Sequence, residues 1–488
     1  MPRWLTPVGA AFAGSLLLSL VARLPGLINR DGILYVNVAQ VFIEAGFGAA
    51  QEVFSWPFFP ALIGIFSRIT GLDPESAGYL LNALFMAGAC ALLVAGCRRQ
   101  QPETAWMVCL TTLALPGLNE YRNELLREYG CWFFTMLAFW LAIRWSERPR
   151  WPAALAVQAS LAIAALFRPE ALALLAALIG WQAFTAPRGE RLRRLAMIGA
   201  PALVGAAVLL ILYATGSLAQ GNRLAGDLGR LDLERFNLKA QAIAAVLPEF
   251  AQKNAHTILL VGSLAVIPVK FFGKIGIFLV PLLAFLTGRQ VRQALAVHAP
   301  FAWGFGVHLL VLAVFVTDLQ FLAGRYVAPL YLMGAPFLGW GLLQLVRRIP
   351  HWRWPILATA IILMFANVVS LSPGKTHFVD AGKWLSANAT DSPRVYIESG
   401  RAAYYAGWKH RNRPPETRNT LAEALSRGEY DLLVLEVSRE ETGFEKWAEG
   451  AGLRIVQRFA HSGNDDVIVA EPAHPQPPNA PSSTERSR

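Results

Sequence analysis

Long apolar stretches separated by short polar ones run through the first three quarters of the chain. A helix that crosses a bilayer needs about 20 mostly apolar residues, and somewhat fewer where neighbours cover its ends. Such stretches lie near 5–27, 79–97, 104–118, 129–145, 151–168, 170–187, 195–215, 275–288, 299–317, 325–346 and 354–372. A further run, 256–269, is shorter and is followed by two lysines, so we expect it only to dip into the membrane interface. The pattern therefore predicts about 11 transmembrane helices.

The pattern changes at Lys375, where charged residues become frequent and short strand-like pieces alternate with helical ones. The strand-like pieces are 395–397, 432–435, 454–456 and 467–469, and the helical patterns are 377–388 and 439–450. Pieces of these lengths predict a small α/β domain. We therefore expect a transmembrane domain (1–374), an α/β domain outside the membrane (375–470) and a disordered tail rich in Pro and Ser (471–488).

Composition supports a membrane protein. Hydrophobic residues make up 55% of the chain and charged residues only 16%, against about 25% charged in a typical soluble protein. The net charge of +11 lies in short basic clusters between apolar runs, which indicates membrane orientation, and no nucleic-acid partner is expected. The four cysteines lie in or beside apolar runs, which argues against a disulfide framework or a zinc site.

The basic clusters predict the orientation, because short loops rich in Arg and Lys face the cytoplasm. The clusters are Arg98 and Arg99; Arg144, Arg148 and Arg150; Arg188, Arg191, Arg193 and Arg194; Arg289 and Arg292; and Arg347, Arg348 and Arg353. All fall on one side if the N-terminus is cytoplasmic and 256–269 does not cross. The C-terminal domain is then outside. The first apolar run lacks a good cleavage site, so we expect a retained helix and not a signal peptide.

Three segments on the predicted outer face, 28–78, 119–128 and 216–274, are too long to be simple connectors. Between Ile33 and Ile43, apolar residues alternate with polar ones, which predicts an amphipathic helix on the membrane surface. Segment 232–250 predicts a second. The expected fold class is thus a polytopic α-helical membrane protein with outer-face amphipathic helices and a small C-terminal α/β domain.

Ionisable residues are scarce within the predicted spans, where they would normally mark an ion or proton pathway. They gather instead at the outer helix ends. These groups are Arg30, Asp31 and Glu44; Glu120, Arg122, Glu124, Arg127 and Glu128; Arg168 and Glu170; Lys270 and Lys274; and Asp318 and Arg325. Acids and bases gathered on one membrane face favour an enzyme acting at the lipid–water boundary over an ion-coupled pump.

Each of the main candidate site residues can also be explained by a purely structural role. Asp31 lies in an Asn-Arg-Asp-Gly turn sequence, where Asp often caps the following helix. Arg168 can belong to a tight Arg-Pro-Glu turn, and Arg325 can extend its charged end to the interface. Either interpretation leaves these residues without a part in chemistry.

The acidic segment before the fourth predicted span also has a structural and a functional interpretation. Glu120, Glu124 and Glu128 are spaced i, i+4 and i+8, which would place them on one helical face, where they repel one another unless paired. Arg122 and Arg127 can pair them. Three stacked carboxylates near a bilayer surface also suggest a cation, metal or sugar ligand.

Several of these residues fall in short motifs that resemble the GT-C glycosyltransferases. The similarity is strongest to the branch containing the lipid A aminoarabinose transferases, the protein O-mannosyltransferases and lipopolysaccharide-core transferases, and it covers the layout of about 5–375. The motifs are Asp31 with Tyr35 and Ala39; Trp56-Pro57-Phe58-Phe59-Pro60; Thr70-Gly71; Asn82; the acidic segment 122–128; Phe167-Arg168-Pro169; and Gly324-Arg325-Tyr326 with Pro329.

The resemblance implies an inverting transfer of a sugar from a polyprenyl-phosphate donor, which arrives within the bilayer on the outer face of a bacterial inner membrane. Lipopolysaccharide, another envelope glycan or lipid, or a protein would be the acceptor. Asp31 would be the general base, and a divalent metal is possible. The leaving phosphate would be bound by Arg168, Lys270, Lys274 and Arg325. The acceptor, or a second acidic site, would involve Glu120, Glu124, Glu128, Arg122, Arg127 and Tyr35.

Two other function classes remain open from the sequence. A transporter or flippase of a lipid-linked envelope precursor should have broken helices and polar groups at mid-membrane depth, and the sequence has few. A non-catalytic scaffold or sensor would use the outer α/β domain to bind a ligand.

Overall fold

The computed structural model describes residues 6–24, 26–214, 233–288, 290–369, 375–408, 416–438, 440–460 and 465–473. Arg289 and the part of the predicted tail from residue 474 onward lie outside the described residues. The chain divides into two compact units, each built from two stretches of sequence. The first unit comprises Met1–Leu24 and Gly78–Ser370, and the second comprises Pro25–Ala77 and Leu371–Arg488.

Helices dominate the described part of the chain. In order they are α1 (Pro7–Ala22), α2 (Arg30–Val53), α3 (Phe58–Thr70), α4 (Pro74–Gln100), α5 (Ala105–Ala114), α6 (Pro116–Asn119), α7 (Glu128–Glu147), α8 (Trp151–Phe167), α9 (Leu174–Thr185), α10 (Arg191–Ala214), α11 (Leu233–Val246), α12 (Glu249–Gln252), α13 (Ala255–Gly273), α14 (Leu279–Leu286), α15 (Val291–Val297), α16 (Ala299–Leu319), α17 (Gly324–Arg348), α18 (Arg353–Ala366), α19 (His377–Asn388), α20 (Gly400–Tyr405), α21 (Arg418–Ser426) and α22 (Phe444–Gly450).

Among the described helices, five are long and apolar enough to cross a membrane: α2, α4, α13, α16 and α17. Shorter apolar helices lie at Pro7–Ala22, Phe58–Thr70, Trp151–Phe167, Pro169–Thr185 and Gly276–Leu286. Most of the remaining predicted spans coincide with helices too. The short run 256–269 differs from the prediction, because it belongs to a helix (α13) that continues through Lys270 to Gly273. Lys270 lies in its last turn, where a cation is favoured by the helix dipole.

Helix α2 has the amphipathic character that the sequence predicts. Its buried residues include Ile33, Tyr35, Val36, Val38 and Ala39, which recur with helical periodicity and pack against α3. The helix is kinked at Gly46, whose φ of 86° is readily adopted only by glycine. Its length and hydropathy also place it among the five helices above.

Helices α14 and α17 of the first unit approach so closely that only a glycine fits at the contact. A Cβ atom on Gly341 would lie 1.9 Å from the main-chain oxygen of Pro281. We expect Gly341→Ala to lower the stability of the protein by about 1–3 kcal/mol, because overpacking forces the backbones apart. Thermal unfolding of the detergent-solubilised protein measures the effect. Gly306→Ala in α16 is the matched control, because its Cβ would meet nothing within 4 Å, and an equal loss of stability there would contradict the explanation.

The second unit contains a four-stranded sheet, with strands β1 (Val395–Ile397), β2 (Leu432–Val437), β3 (Leu453–Phe459) and β4 (Asp466–Pro472). The strand order is β1-β2-β4-β3. Strands β1 and β2 are parallel, whereas β4 is antiparallel to both of its neighbours. All four predicted strands are present, and β4 extends two residues into the segment that the sequence assigned to the tail.

Helices cover both faces of this sheet, as the alternation of β2 requires. Leu433 and Leu435 face one core, together with residues of α21 and α22. Val434 faces the other core, which includes residues of α19 and α20. Helix α19 was predicted at its observed bounds, whereas α20 and α21 were not predicted. The sheet shares its compact unit with α2 and α3.

Candidate active site

A buried carboxylate joins three helices of the first unit. Glu128 is the first residue of α7, and its side chain is only 5% exposed. Its Oε1 lies 3.2 Å from Nη1 of Arg168, at the C-terminal end of α8, and 3.4 Å from Nε of Arg325, near the start of α17. A buried carboxylate is tolerated only when it is paired. Glu128 therefore ties both guanidinium groups to one place.

Arg168 is held by further contacts. Its Nε donates to Glu170 Oε1 at 2.6 Å, and its guanidinium carbon lies 4.3 Å from the ring centre of Tyr326. The main-chain oxygen of Tyr326 lies 2.9 Å from Nε2 of His308 in α16. A guanidinium bound by two carboxylates and stacked on an aromatic ring has a fixed orientation.

Two groups in this cluster have unsatisfied hydrogen-bonding capacity. Arg127 is only 9% exposed, and within the described residues its Nε and Nη1 have no hydrogen-bond partner. The same holds, within that part of the chain, for Oε2 of Glu128. Arg127 is close enough to Glu170 for an electrostatic interaction. The cluster thus has unused donors on Arg127 and an unused acceptor on Glu128, the next residue in the chain.

The segment between α6 and α7 is not helical, so the expected stack of three glutamates on one helical face is wrong. Turns occupy 120–123, and Glu124 precedes the start of α7. Helix α6 ends at Asn119, and Arg122 in the following turn donates to Ser15 and Ser19 of α1 at 2.7–3.0 Å. Arg122 is buried, and these contacts hold α1 in place. Its role at an acceptor site stays a prediction.

The glutamates that precede α7 have separate surroundings. Glu120 forms an ion pair with Lys274, with 2.8 Å between Oε1 and Nζ. Burial and the nearby Glu120 and Glu124 carboxylates raise the pKa of the Tyr121 phenol above its ordinary value, so it remains a protonated donor. Lys270 is exposed at the end of α13.

Asp31 and Tyr35 belong to the second unit. Asp31 is the second residue of α2 and lies in its first turn, while the residue at the N-cap is Asn29. Tyr35 is buried, with its ring centre 6.1 Å from that of Phe54 and 5.3 Å from that of Phe59. The catalytic assignment of Asp31 therefore stays a prediction of the sequence, as does the role of Tyr35. Within the described residues, no three His, Cys, Asp or Glu side chains converge on a common point that would suit a metal ion.

Helix α7 places the charged cluster at one end of a helix whose length matches the thickness of a bilayer core. Its 20 residues correspond to about 30 Å, the thickness of a bilayer's hydrocarbon core. Glu128 lies at its start, and Glu147 at its end forms an exposed ion pair with Arg99 at the end of α4. The predicted inner and outer charges are thus separated along this helix. Which end faces the cytoplasm stays a prediction.

The structure is similar to that of ArnT, the lipid A aminoarabinose transferase, from Cupriavidus metallidurans bound to undecaprenyl phosphate. The TM-score is 0.60 at 12% sequence identity, and the match covers 96% of this chain and 98% of ArnT. The chain has the GT-C fold.

A second match with the GT-C fold is the Archaeoglobus fulgidus oligosaccharyltransferase tethered to an acceptor peptide. Here the TM-score is 0.53 at 11% identity, covering 90% of this chain and 71% of the other. No family model matches the chain, and no curated protein sequence matches it. The resemblance inferred from the short motifs is therefore confirmed for the GT-C fold.

Three residues of the cluster were absent from the predicted phosphate and acceptor sets: Glu170, Tyr326 and His308. The sequence did contain signals for two of them. Glu170 follows Arg168-Pro169, and an acid two residues from an arginine at a helix end is well placed to pair with it. Tyr326 directly follows Arg325. Which cation each would contact depends on how the C-terminal end of α8 lies relative to the start of α17, and periodicity carries no information on that.

Proposed function

We propose that this protein is an inverting glycosyltransferase that moves a sugar from a polyprenyl-phosphate donor to an acceptor at the outer face of a bacterial inner membrane. The acceptor would be lipopolysaccharide, another envelope glycan or lipid, or a protein. Two glycosyltransferases share its fold, one solved with undecaprenyl phosphate and the other with an acceptor peptide. Fold alone does not determine an activity, so the proposal depends on the side chains.

The observation that carries the proposal is the unsatisfied pair at the start of α7. Arg127 has two unused donor nitrogens, and Glu128 has an unused acceptor oxygen within the described residues. Burying such groups without partners costs about 1–3 kcal/mol each, and more for charged groups. A sugar phosphate matches them, because its phosphate accepts hydrogen bonds while its hydroxyls donate them.

The proposed reaction needs one base and a positively charged region. The oxygen of the acceptor hydroxyl attacks the anomeric carbon, the bond from that carbon to the phosphate oxygen breaks, and the electron pair leaves with the phosphate. The acceptor proton passes to the Asp31 carboxylate. A phosphate is a weak base and needs no general acid. A single displacement inverts the configuration of the anomeric carbon.

Arginine and lysine side chains would stabilise the charge that develops on the leaving phosphate. Arg168, Arg325, Lys270 and Lys274 are proposed for this role. Glu128 contacts both Arg168 and Arg325, which supports an orienting role for this carboxylate. Glu120 and Glu124 are then the proposed acceptor contacts, whereas Arg127 is proposed to donate to the phosphate of the donor.

Purified protein should form a glycosidic bond when supplied with the correct undecaprenyl-phosphate sugar. The test presents a panel of hexosyl and pentosyl donors with lipid A, core oligosaccharide and peptide acceptors. Mass spectrometry detects the product, NMR determines its anomeric configuration, and parallel reactions with Mg²⁺, Mn²⁺ or EDTA measure any metal contribution. Retention of configuration would contradict the single displacement. Movement of donor lipid across vesicles without any transfer would favour a flippase.

A further inference from the structure

Three residues of the C-terminal domain bind the segment that contains Asp31. We propose that Tyr405 and Glu436 are positioning residues, which fix the polypeptide immediately before Asp31 and so hold its carboxylate in place for proton transfer, while Tyr404 binds the far end of the same segment at Glu75. This inference rests on the proposed function only for the role of Asp31. The contacts themselves lie within the second unit.

The first two contacts lie immediately before Asp31. The main-chain N–H of Ile28 donates to the Tyr405 hydroxyl at 3.0 Å. Nη2 of Arg30 lies 2.5 Å from Oε1 of Glu436, at the end of β2. Thus a residue three positions before Asp31 and the residue next to it are both bound to the sheet domain.

The third contact lies at the far end of the same segment. The Tyr404 hydroxyl donates to Oε2 of Glu75, in the first turn of α4, at 2.5 Å. Burial and this carboxylate raise the pKa of the Tyr404 phenol, which keeps it protonated as the donor. Neighbouring tyrosines of the short helix α20 therefore hold both ends of the stretch from Ile28 to Glu75, and α20 also packs on α2.

Burial of Glu436 distinguishes this arrangement from a surface ion pair. Its side chain is 6% exposed, while that of Arg30 is 65% exposed. Burying a carboxylate is costly unless a partner compensates it, so the position of Arg30 is constrained. Arg401 and Lys375 also interact electrostatically with Glu436, which keeps its charge compensated on the domain side. Because Arg30 is held in this way, the main chain at the neighbouring Asp31 is held in place as well.

The test uses full-length protein in detergent and two independent readouts. The variants are Glu436→Gln and Tyr405→Phe, with Glu436→Asp as a conservative rescue. Hydrogen exchange of residues 28–36 should become at least about 10-fold faster in Glu436→Gln and Tyr405→Phe, because local opening becomes easier. The kcat for sugar transfer should fall by up to about 10²-fold, since small misplacements of a reacting group have that effect. The KM for the donor should stay unchanged, and Glu436→Asp should recover most of kcat.

Asp431→Asn provides the matched control. Asp431 forms an exposed ion pair with Arg394 next to the other end of β2, so its loss should change neither readout. The proposal is overturned if exchange of 28–36 is unaltered in Glu436→Gln and Tyr405→Phe, or if it rises while kcat equals that of wild type. If the wild-type protein makes no glycosidic bond, the proposed function fails separately. The exchange measurement then still supports or overturns the proposal that Tyr405 and Glu436 hold the segment in place.

Discussion

Replacement of Asp31 by Asn should lower sugar transfer by about 10²–10⁴-fold, the usual contribution of a general base. The amide has the shape of the carboxylate, but it cannot take the proton from the acceptor hydroxyl. Initial rates at saturating donor measure the effect. Membrane insertion and the unfolding temperature should stay near those of wild type, because Asp31 is not the N-cap residue of α2.

The matched control is Asp73→Asn, the same chemical change at another helix start in the second unit. Asp73 Oδ1 accepts a hydrogen bond from the main-chain N–H of Ser76 at 3.0 Å, which is a capping contact. Its replacement should cost at most about 1–2 kcal/mol of stability and leave transfer intact. Near-normal transfer by Asp31→Asn would remove Asp31 as the base, and the proton would have to pass to another carboxylate.

Arg168→Ala should combine a large loss of stability with a loss of transfer. The substitution leaves the nearly buried Glu128 and the partly buried Glu170 without the guanidinium that binds both. Breaking a buried pair from one side usually costs about 3–5 kcal/mol, so the unfolding temperature should fall markedly. Transfer should fall further than the folded fraction does, because Arg168 is proposed to contact the leaving phosphate.

A second variant separates these two effects. Joint replacement of Arg168 by Met and Glu128 by Gln removes both members of the Arg168–Glu128 pair, so part of the stability should return although Glu170 and Arg325 each lose a partner, whereas transfer should not. Arg99→Ala is the control, since Arg99 and Glu147 form an exposed pair with side chains 44% and 45% exposed, worth at most about 1 kcal/mol. If Arg168→Ala is as stable and active as Arg99→Ala, the cluster has neither role.

Local patterns predicted the elements of this protein well. Helix α19 occupies 377–388 and β1 occupies 395–397, as expected, because hydrophobic periodicity over one short element is enough to define it. The GT-C fold was predicted from short motifs around Asp31, Arg168 and Arg325. These motifs are informative because each lies at the end of a helix, so their order along the chain reports the order of the helices.

Side-chain partnerships were predicted less well. The spacing of Glu120, Glu124 and Glu128 suggested one helical face, but a turn intervenes at 120–123, where Arg122 donates to Ser15 and Ser19 of α1. Helical spacing has meaning only if the helix is continuous. The link of Ile28 to Tyr405 spans 377 positions, and no periodicity reports on contacts over such a distance.

That long separation has a consequence for how the protein is made. A ribosome adds about 5–20 residues per second, so Ile28 leaves it about 20–75 s before Tyr405 does. During that interval α2 is already synthesised, while Tyr405 and Glu436, which bind Ile28 and Arg30, do not yet exist. If these contacts position Asp31 as proposed, a nascent or prematurely terminated chain can insert its helices but cannot hold the Asp31 carboxylate in place. Catalytic competence would then depend on the last fifth of the chain to be translated.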